Sequence, residues 1–189
     1  MHDPTADLPH AHGGPVGSAS LKLSPEDFVV EEILGFEPSG EGEHVFLLIE
    51  KRGENTDYLA KQLARHAQVP VRDVSYAGLK DRHGLTRQWF SVQLPGKAEP
   101  DWSGLASASV RVLDVRRNAR KLRRGAASGN RFALTLRGLE ADAERLALRL
   151  RQLAAEGVPN YFGAQRFGHD GQNLARAREL FAEPARPCD

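Results

Sequence analysis

The sequence predicts an α+β fold: a mixed, largely antiparallel sheet with helices packed on one side. Three observations lead there. Short apolar or alternating runs recur between Asp27 and Arg137. Two other stretches, one after Asn55 and one after Asp142, carry leucines at helical spacing. Clusters of Gly, Pro, Ser and Asn separate these segments as turns do.

Residues 1–20 are rich in His, Pro, Gly and Ser and show no periodicity, so they read as a mobile lead without chemistry of its own. Asp27 to Ile33 and His44 to Lys51 read as two strands joined by the turn-forming GFEPSGEGE. Asn55 or Thr56 then caps a helix running to about Gln68, with Leu59 and Leu63 on one face and Pro70 beyond its end. Thr86 to Leu94 alternates, placing Phe90, Val92 and Leu94 together as in a half-buried strand. Val110 to Val115 is a further strand. Asn130 to Arg137 is another, with Phe132, Leu134 and Leu136 on one face and Arg131, Thr135 and Arg137 on the other. A second helix starts at Asp142, carries Leu146, Leu150 and Leu153, and stops at Gly157 before Pro159. The stretch from Asn173 begins one more helix.

Composition narrows the function. With 189 residues, 40% of them hydrophobic, the chain can fill one core and the start of a second. The longest apolar run, Val45 to Ile49, is far below the roughly 20 residues a spanning helix needs, and the N-terminus has no signal-peptide pattern, so a cytoplasmic address is expected. The single cysteine, Cys188, permits neither an intrachain disulfide nor a cysteine-rich zinc site, and the seven histidines are scattered, so no metal is expected. Phosphate-binding, dinucleotide-binding, zinc-protease and serine-hydrolase motifs are all missing. Net charge is only +1, yet its distribution is uneven. From Met1 to Ala60 there are 3 basic and 12 acidic residues, whereas from Asp101 to Gly138 there are 9 and 2. That asymmetry fits a surface facing a polyanion.

Three segments could carry chemistry. In Gly78-Leu79-Lys80-Asp81-Arg82 a carboxylate sits between two cations, which favours its ionised form and suits a nucleophilic or charge-stabilising role. Spacing alone favours a plain solvated turn residue. From Arg116 to Phe132 the residues Arg116, Arg117, Arg120, Lys121, Arg123, Arg124 and Arg131 occur with no acidic neighbour, a density that attracts phosphates and makes nucleic acid the natural partner. A solvated face that binds nothing in particular is the competing reading. Asn130 can hydrogen-bond a base or a carboxylate, or simply open a strand. In NYFGAQRFG the aromatics Tyr161, Phe162 and Phe167 either stack on bases or plug a core.

Taken together the segments are recognisable. SLKLSPEDFVVEEILGFEPSGEGEH, SYAGLKDRHGLTRQWFSV, RKLRRGAASGNRFALTLR and GVPNYFGAQRFG resemble, in order, the motifs of the TruD family of tRNA pseudouridine synthases, from about Leu21 to Asn173. The resemblance implies an isomerase that converts a uridine in the D-stem region of tRNA, position 13, to pseudouridine without a cofactor. It makes Asp81 the catalytic aspartate and places Phe28, Asn130, Phe132 and Lys22 around the target base. The cation that pairs with Asp81 is left open. Arg116, Arg117, Arg120, Lys121, Arg123 and Arg124 would grip the RNA backbone, and GVPNYFGAQRFG would be a structural loop beside the cleft. The implied organisation is a lead over 1–20, the N-terminal part of the catalytic domain over 21–170, and the start of an inserted second domain over 171–189. Family members continue well past this point, so the chain is expected to be truncated. A catalytically inactive RNA-binding fragment is therefore the alternative reading. A monomer with tRNA as partner, and no membrane, is expected.

Overall fold

The computed structural model describes residues 9–161, 163–168 and 171–182. In chain order the strands and helices are β1 (Gly17–Ser20), β2 (Phe28–Leu34), β3 (His44–Arg52), α1 (Thr56–His66), β4 (Val74–Tyr76), β5 (Leu85–Gln93), β6 (Val110–Asn118), β7 (Ala127–Leu134), β8 (Arg137–Ala141), α2 (Ala143–Glu156) and α3 (Gln172–Ala182). Residues 19–139 form one compact unit, and residues before 19 together with those after 139 form another. The division falls within the span 21–170 that sequence reading treated as one domain.

In the unit over 19–139 the sheet runs β6-β3-β5-β2-β7, with β4 also paired to β5. Every pairing is antiparallel except β2 with β5. Residues directly opposite each other share a face. Thus Val45, Leu47 and Ile49 of β3 and Phe90 and Val92 of β5 meet α1, whose Leu59 and Leu63 are fully buried against them. Phe46 and Trp89 on the reverse face pack with Ala77 and Leu122. Covering on both faces explains why β3 reads as a continuous apolar run; β5 is equally buried but carries Thr86, Gln88 and Ser91 among its apolar residues. Helix α1 begins where Asn55 accepts hydrogen bonds from the backbone N–H groups of Asp57 (2.8 Å) and Tyr58 (3.3 Å), satisfying two orphan donors.

The expected strand over 130–137 is two strands. The Thr135 N–H donates to the Asp27 carbonyl at 2.8 Å, and Arg137 then binds the Asp27 carboxylate through two nitrogens at 3.0 and 2.8 Å. These bonds turn the chain, and Gly138 takes a left-handed φ of 57°. The Arg137 hydrogen bond holds the Asp27 carboxyl below the usual carboxylate range. Strand β7 lies at the sheet edge, beyond the reach of α1, so Phe132 and Leu134 are 56% and 50% exposed, and Leu136, just past its end, is 51% exposed.

In the other unit, Asp142 caps α2 by accepting from the Arg145 N–H at 2.8 Å. No residue of α2 or α3 is buried, and Leu150, expected on the apolar face of α2, is exposed. Residues 13–14, expected in a mobile lead, accept hydrogen bonds from Arg149 of α2 at 3.2 and 3.3 Å. Among the described residues no helix is long and apolar enough to cross a membrane.

Truncating the centre of the α1 interface tests this division of burial. Leu63→Ala should lower stability by about 2–5 kcal/mol in urea unfolding, whereas Leu148→Ala on α2 should stay within about 0.5 kcal/mol of the parent.

Candidate active site

The site forms where two strands part. Strand β2 pairs with β5 only from Leu85 to Arg87, and β4 takes the same side of β5 only from Phe90 to Val92. Gln88 and Trp89 therefore face a gap that side chains fill. The Trp89 N–H donates to Glu32 Oε1 at 3.2 Å, and the Gln88 amide donates to the Gly78 carbonyl while accepting from Thr56 Oγ1 at 3.1 Å. Residues 77–84, which connect β4 to β5, cross this gap and carry Asp81.

Three buried or nearly buried groups pin that segment. Lys80 forms an ion pair with the fully buried Glu32 carboxylate, and its N–H donates to Thr56 Oγ1 at 3.2 Å. Lys51, fully buried, donates through Nζ to the Asp81 carbonyl at 3.0 Å and to the Glu54 carbonyl at 2.8 Å. Gly84 returns the chain to β5 so closely that a Cβ there would lie 2.8 Å from the Phe28 carbonyl oxygen, which requires glycine.

Above this floor the Asp81 side chain is half exposed. Lys22 Nζ lies 3.7 Å from its Oδ1 and 3.6 Å from the centre of the Phe28 ring, a combined ion pair and cation–π contact. Lys22 has a left-handed φ of 60°, a conformation that costs about 1–2 kcal/mol for a residue with a Cβ. The surroundings of Phe28 and Asp81 hold it there. Phe28 meets Phe132 edge to face, with centroids 6.0 Å apart, and Phe132 leaves much of its ring open. Asn130, two residues along β7, stands opposite Glu32 and is exposed on the same face. The structure thus links Lys22, Phe28, Asp81 and Phe132 by contacts, with Asn130 on the same face two residues from Phe132, and Lys22 is the cation paired with the aspartate. Among the described residues no cluster of His, Cys, Asp or Glu could hold a metal.

The arginine-rich segment is distributed differently. Arg116 and Arg117 belong to β6, at the opposite sheet edge from β7. Arg116 binds Asp114 and Glu37, at 2.8 and 2.9 Å, and Arg117 binds Glu99 at 2.7 Å. Lys121 donates to the Arg72 carbonyl at 2.6 Å. Arg124 lies 4.8 Å over the Tyr76 ring and donates to its hydroxyl at 3.0 Å. Arg120 and Arg123 are exposed and line a groove with Phe36, Ser39 and Asn118. Within the segment the Gly125 N–H donates to the Ala77 carbonyl at 2.7 Å, at the start of residues 77–84. Arg131 pairs with Glu31 at 3.6 Å. In NYFGAQRFG, Tyr161 is exposed and not plugged into a core, while Phe162 lies outside the described residues.

Sequence reading missed Lys51, Glu32, Thr56 and Gln88. A signal for Lys51 existed: it continues the odd-numbered row Val45, Leu47, Ile49 onto the core face of β3, where a cation has to be paired or functional. Burial pulls Lys51 down to about 8, against partial compensation by the Asp81 and Glu54 carboxylates, and Lys80 pushes in the same direction as burial.

The site is thus a half-exposed carboxylate paired with one lysine beside a partly open aromatic ring, on an α+β domain. Similarity to known proteins identifies the family. The family model described as tRNA pseudouridine synthase D (TruD) matches residues 11–175, and the chain belongs to that family. It is 58% identical over 183 residues to the tRNA pseudouridine synthase D of Methylococcus capsulatus, covering 97% of this chain and 52% of that protein. It is 56% identical over 179 residues to the protein of the same name from Pseudomonas putida, covering 95% and 51%. A Methanosarcina mazei protein, whose crystal structure was described as that of a tRNA pseudouridine synthase D (TruD), superposes with a TM-score of 0.68 at 32% identity, covering 82% of this chain and 36% of that one. The chain spans about half the length of the curated relatives it matches.

Two stability measurements check the floor. Glu32→Gln leaves Lys80 without its buried counter-charge and should cost about 3–5 kcal/mol in urea unfolding. Lys51 titrates near 8 when folded and near its ordinary value, 10.5, when unfolded, so between those values the unfolded chain binds more protons. Its contribution to stability therefore rises with pH across that window, by on the order of 3 kcal/mol. The stability difference between Lys51→Met and the parent should shift in the parent's favour by that amount between pH 7.5 and 10.5.

Proposed function

We propose that this domain supplies the reacting carboxylate of a tRNA pseudouridine synthase, an isomerase acting on a uridine of the D-stem region, position 13. The observation that carries the reading is the position of Asp81: half exposed, held by Lys22, and joined through Phe28 to the open ring of Phe132. The names of the relatives point the same way.

The reaction breaks the uridine N1–C1′ bond, turns the freed uracil, joins C5 to C1′, releases the C5 proton and leaves N1 protonated, so product and substrate are isomers. Electrons balance within the substrate, so no redox cofactor is required. A base must leave its stack to be reached, and it must stay held once detached. Asp81 either adds to C1′ or promotes a glycal intermediate by removing a sugar proton. Lys22 keeps the carboxylate placed and compensated. Phe132 offers a stacking face, Phe28 supports that face from its edge, and Asn130 has an amide within the same patch to hydrogen-bond a uracil edge. Arg120 and Arg123 have exposed guanidiniums for backbone phosphates, and Arg116, Arg117, Lys121 and Arg124 complete a basic margin whose charges are already partly engaged. The domain works in the cytoplasm as a monomer on tRNA.

Tritium release from tRNA labelled at uridine C5 tests this. Asp81→Asn should lower turnover by about 10²–10⁴-fold while tRNA affinity changes by less than about threefold, the size of a lost minor contact. Retained turnover removes the assignment, and a parent chain that binds tRNA without releasing tritium is the RNA-binding fragment instead. Arg120→Ala with Arg123→Ala should weaken tRNA binding and reduce the slope of log affinity against log salt by about 1–2. An unchanged slope removes these two residues from the interface.

A further inference from the structure

Lys51 is a third lysine of the site, after Lys22 and Lys80, and nothing in the proposed reaction uses it. It is fully buried, yet among the described residues no carboxylate pairs with its charged head, and its acceptors are two backbone carbonyls. One belongs to Glu54, in the segment that leads into α1, and the other to Asp81 itself. Its cross-strand neighbour is Thr86 of β5, whose buried hydroxyl has no hydrogen-bond partner among the described residues. Buried polar atoms are almost always satisfied, so a lysine and an orphan hydroxyl side by side on a core face are costly for stability. The same row of the sheet continues through Val30 to Phe132, so Lys51 stands on the face that carries the aromatic wall.

Resting on the assignment of Asp81 as the reacting carboxylate, we infer that Lys51 is the positioning residue of the site: it locks the Asp81 backbone to the start of α1. The other ties reach the neighbours of Asp81. Glu32 holds Lys80, Thr56 holds the Lys80 N–H, and Gln88 holds Gly78. Lys51 is the side chain that grips the main chain of Asp81 directly. A carboxylate that must meet a sugar carbon or its proton at about 3–3.5 Å loses rate steeply when its backbone wanders by 1 Å, so such a grip acts on the chemical step and not on attachment of the RNA.

The test compares the parent with Lys51→Met, which keeps the stem and removes the donors, and with Asp81→Asn. The inference expects Lys51→Met to keep a cooperative melt, to lower kcat for tritium release at least 30-fold, and to leave KM for tRNA within threefold. It also expects backbone amides of residues 79–84 to exchange with deuterium at least tenfold faster, while those of residues 59–64 in α1 keep their protection. A kcat within threefold of the parent, or unchanged exchange over 79–84, overturns it. Should the chain release no tritium, the exchange measurement alone decides. Should Lys51→Met not melt cooperatively, Lys51→Gln, which retains one donor pair, replaces it with the same readouts and the same criteria. Full turnover by Asp81→Asn would instead overturn the reading on which this one rests, whatever Lys51→Met does.

Discussion

A positive charge held out of water beneath residues 77–84 is the constraint from which the geometry of the site follows. Lys51 lies on the core face of β3 and can keep its proton only where oxygens surround it. The chain therefore presents two carbonyls inward, at Glu54 and Asp81, and the Asp81 side chain is left at the surface beside Lys22. The Lys80–Glu32 pair imposes the same requirement one residue earlier. Each interaction leaves a costly buried charge if its partner is removed. Together they explain how a glycine-bounded, charged turn is held in one conformation.

The two halves of the sheet serve different ends. Around β3 both faces are sealed, by α1 on one side and by Phe46, Trp89 and Leu122 on the other, and this half carries most of the buried apolar surface. Around β2 and β7 the face is open: Phe132 and Leu134 remain exposed and Asn130 reaches the same surface. The reverse face of the sheet bears a row of alternating charge, Arg111, Glu50, Arg87, Glu31 and Arg131, one from each of five neighbouring strands. Such a row suits a solvated face and ties adjacent strands in register, at small gain per pair. Polar exposure on one side and aromatic exposure on the other separate the two surfaces by chemistry.

Much of the fold was legible because it rests on local signals. Short apolar or alternating runs located β2, β3 and β5 to within a residue or two, and a cap at Asn55 or Thr56 located the start of α1, since hydrophobic patterning and the orphan N–H groups of a first turn are properties of neighbouring residues. The break between β7 and β8 was not legible: it depends on Arg137 meeting Asp27, which is distant in sequence. The partners of the arginine-rich segment were not legible for the same reason. Its density is a one-dimensional fact, whereas the carboxylates that neutralise Arg116 and Arg117, at Glu37 and Glu99, come from other parts of the chain.

By itself the sequence determined which residue types exist to do chemistry: one aspartate in a tight cationic turn, aromatics in alternating strands, and motifs similar to those of the TruD family. Tertiary structure alone decided which cation meets that aspartate, which ring stays open and which charges are already spent on one another. Lys22, Phe28, Asp81 and Phe132 are adjacent only because β2 lies between β5 and β7, and Lys51 reaches Asp81 only because β3 lies on the other side of β5. Periodicity is written along the chain. Adjacency between strands is set by which apolar faces can be buried together, and no single segment contains that information.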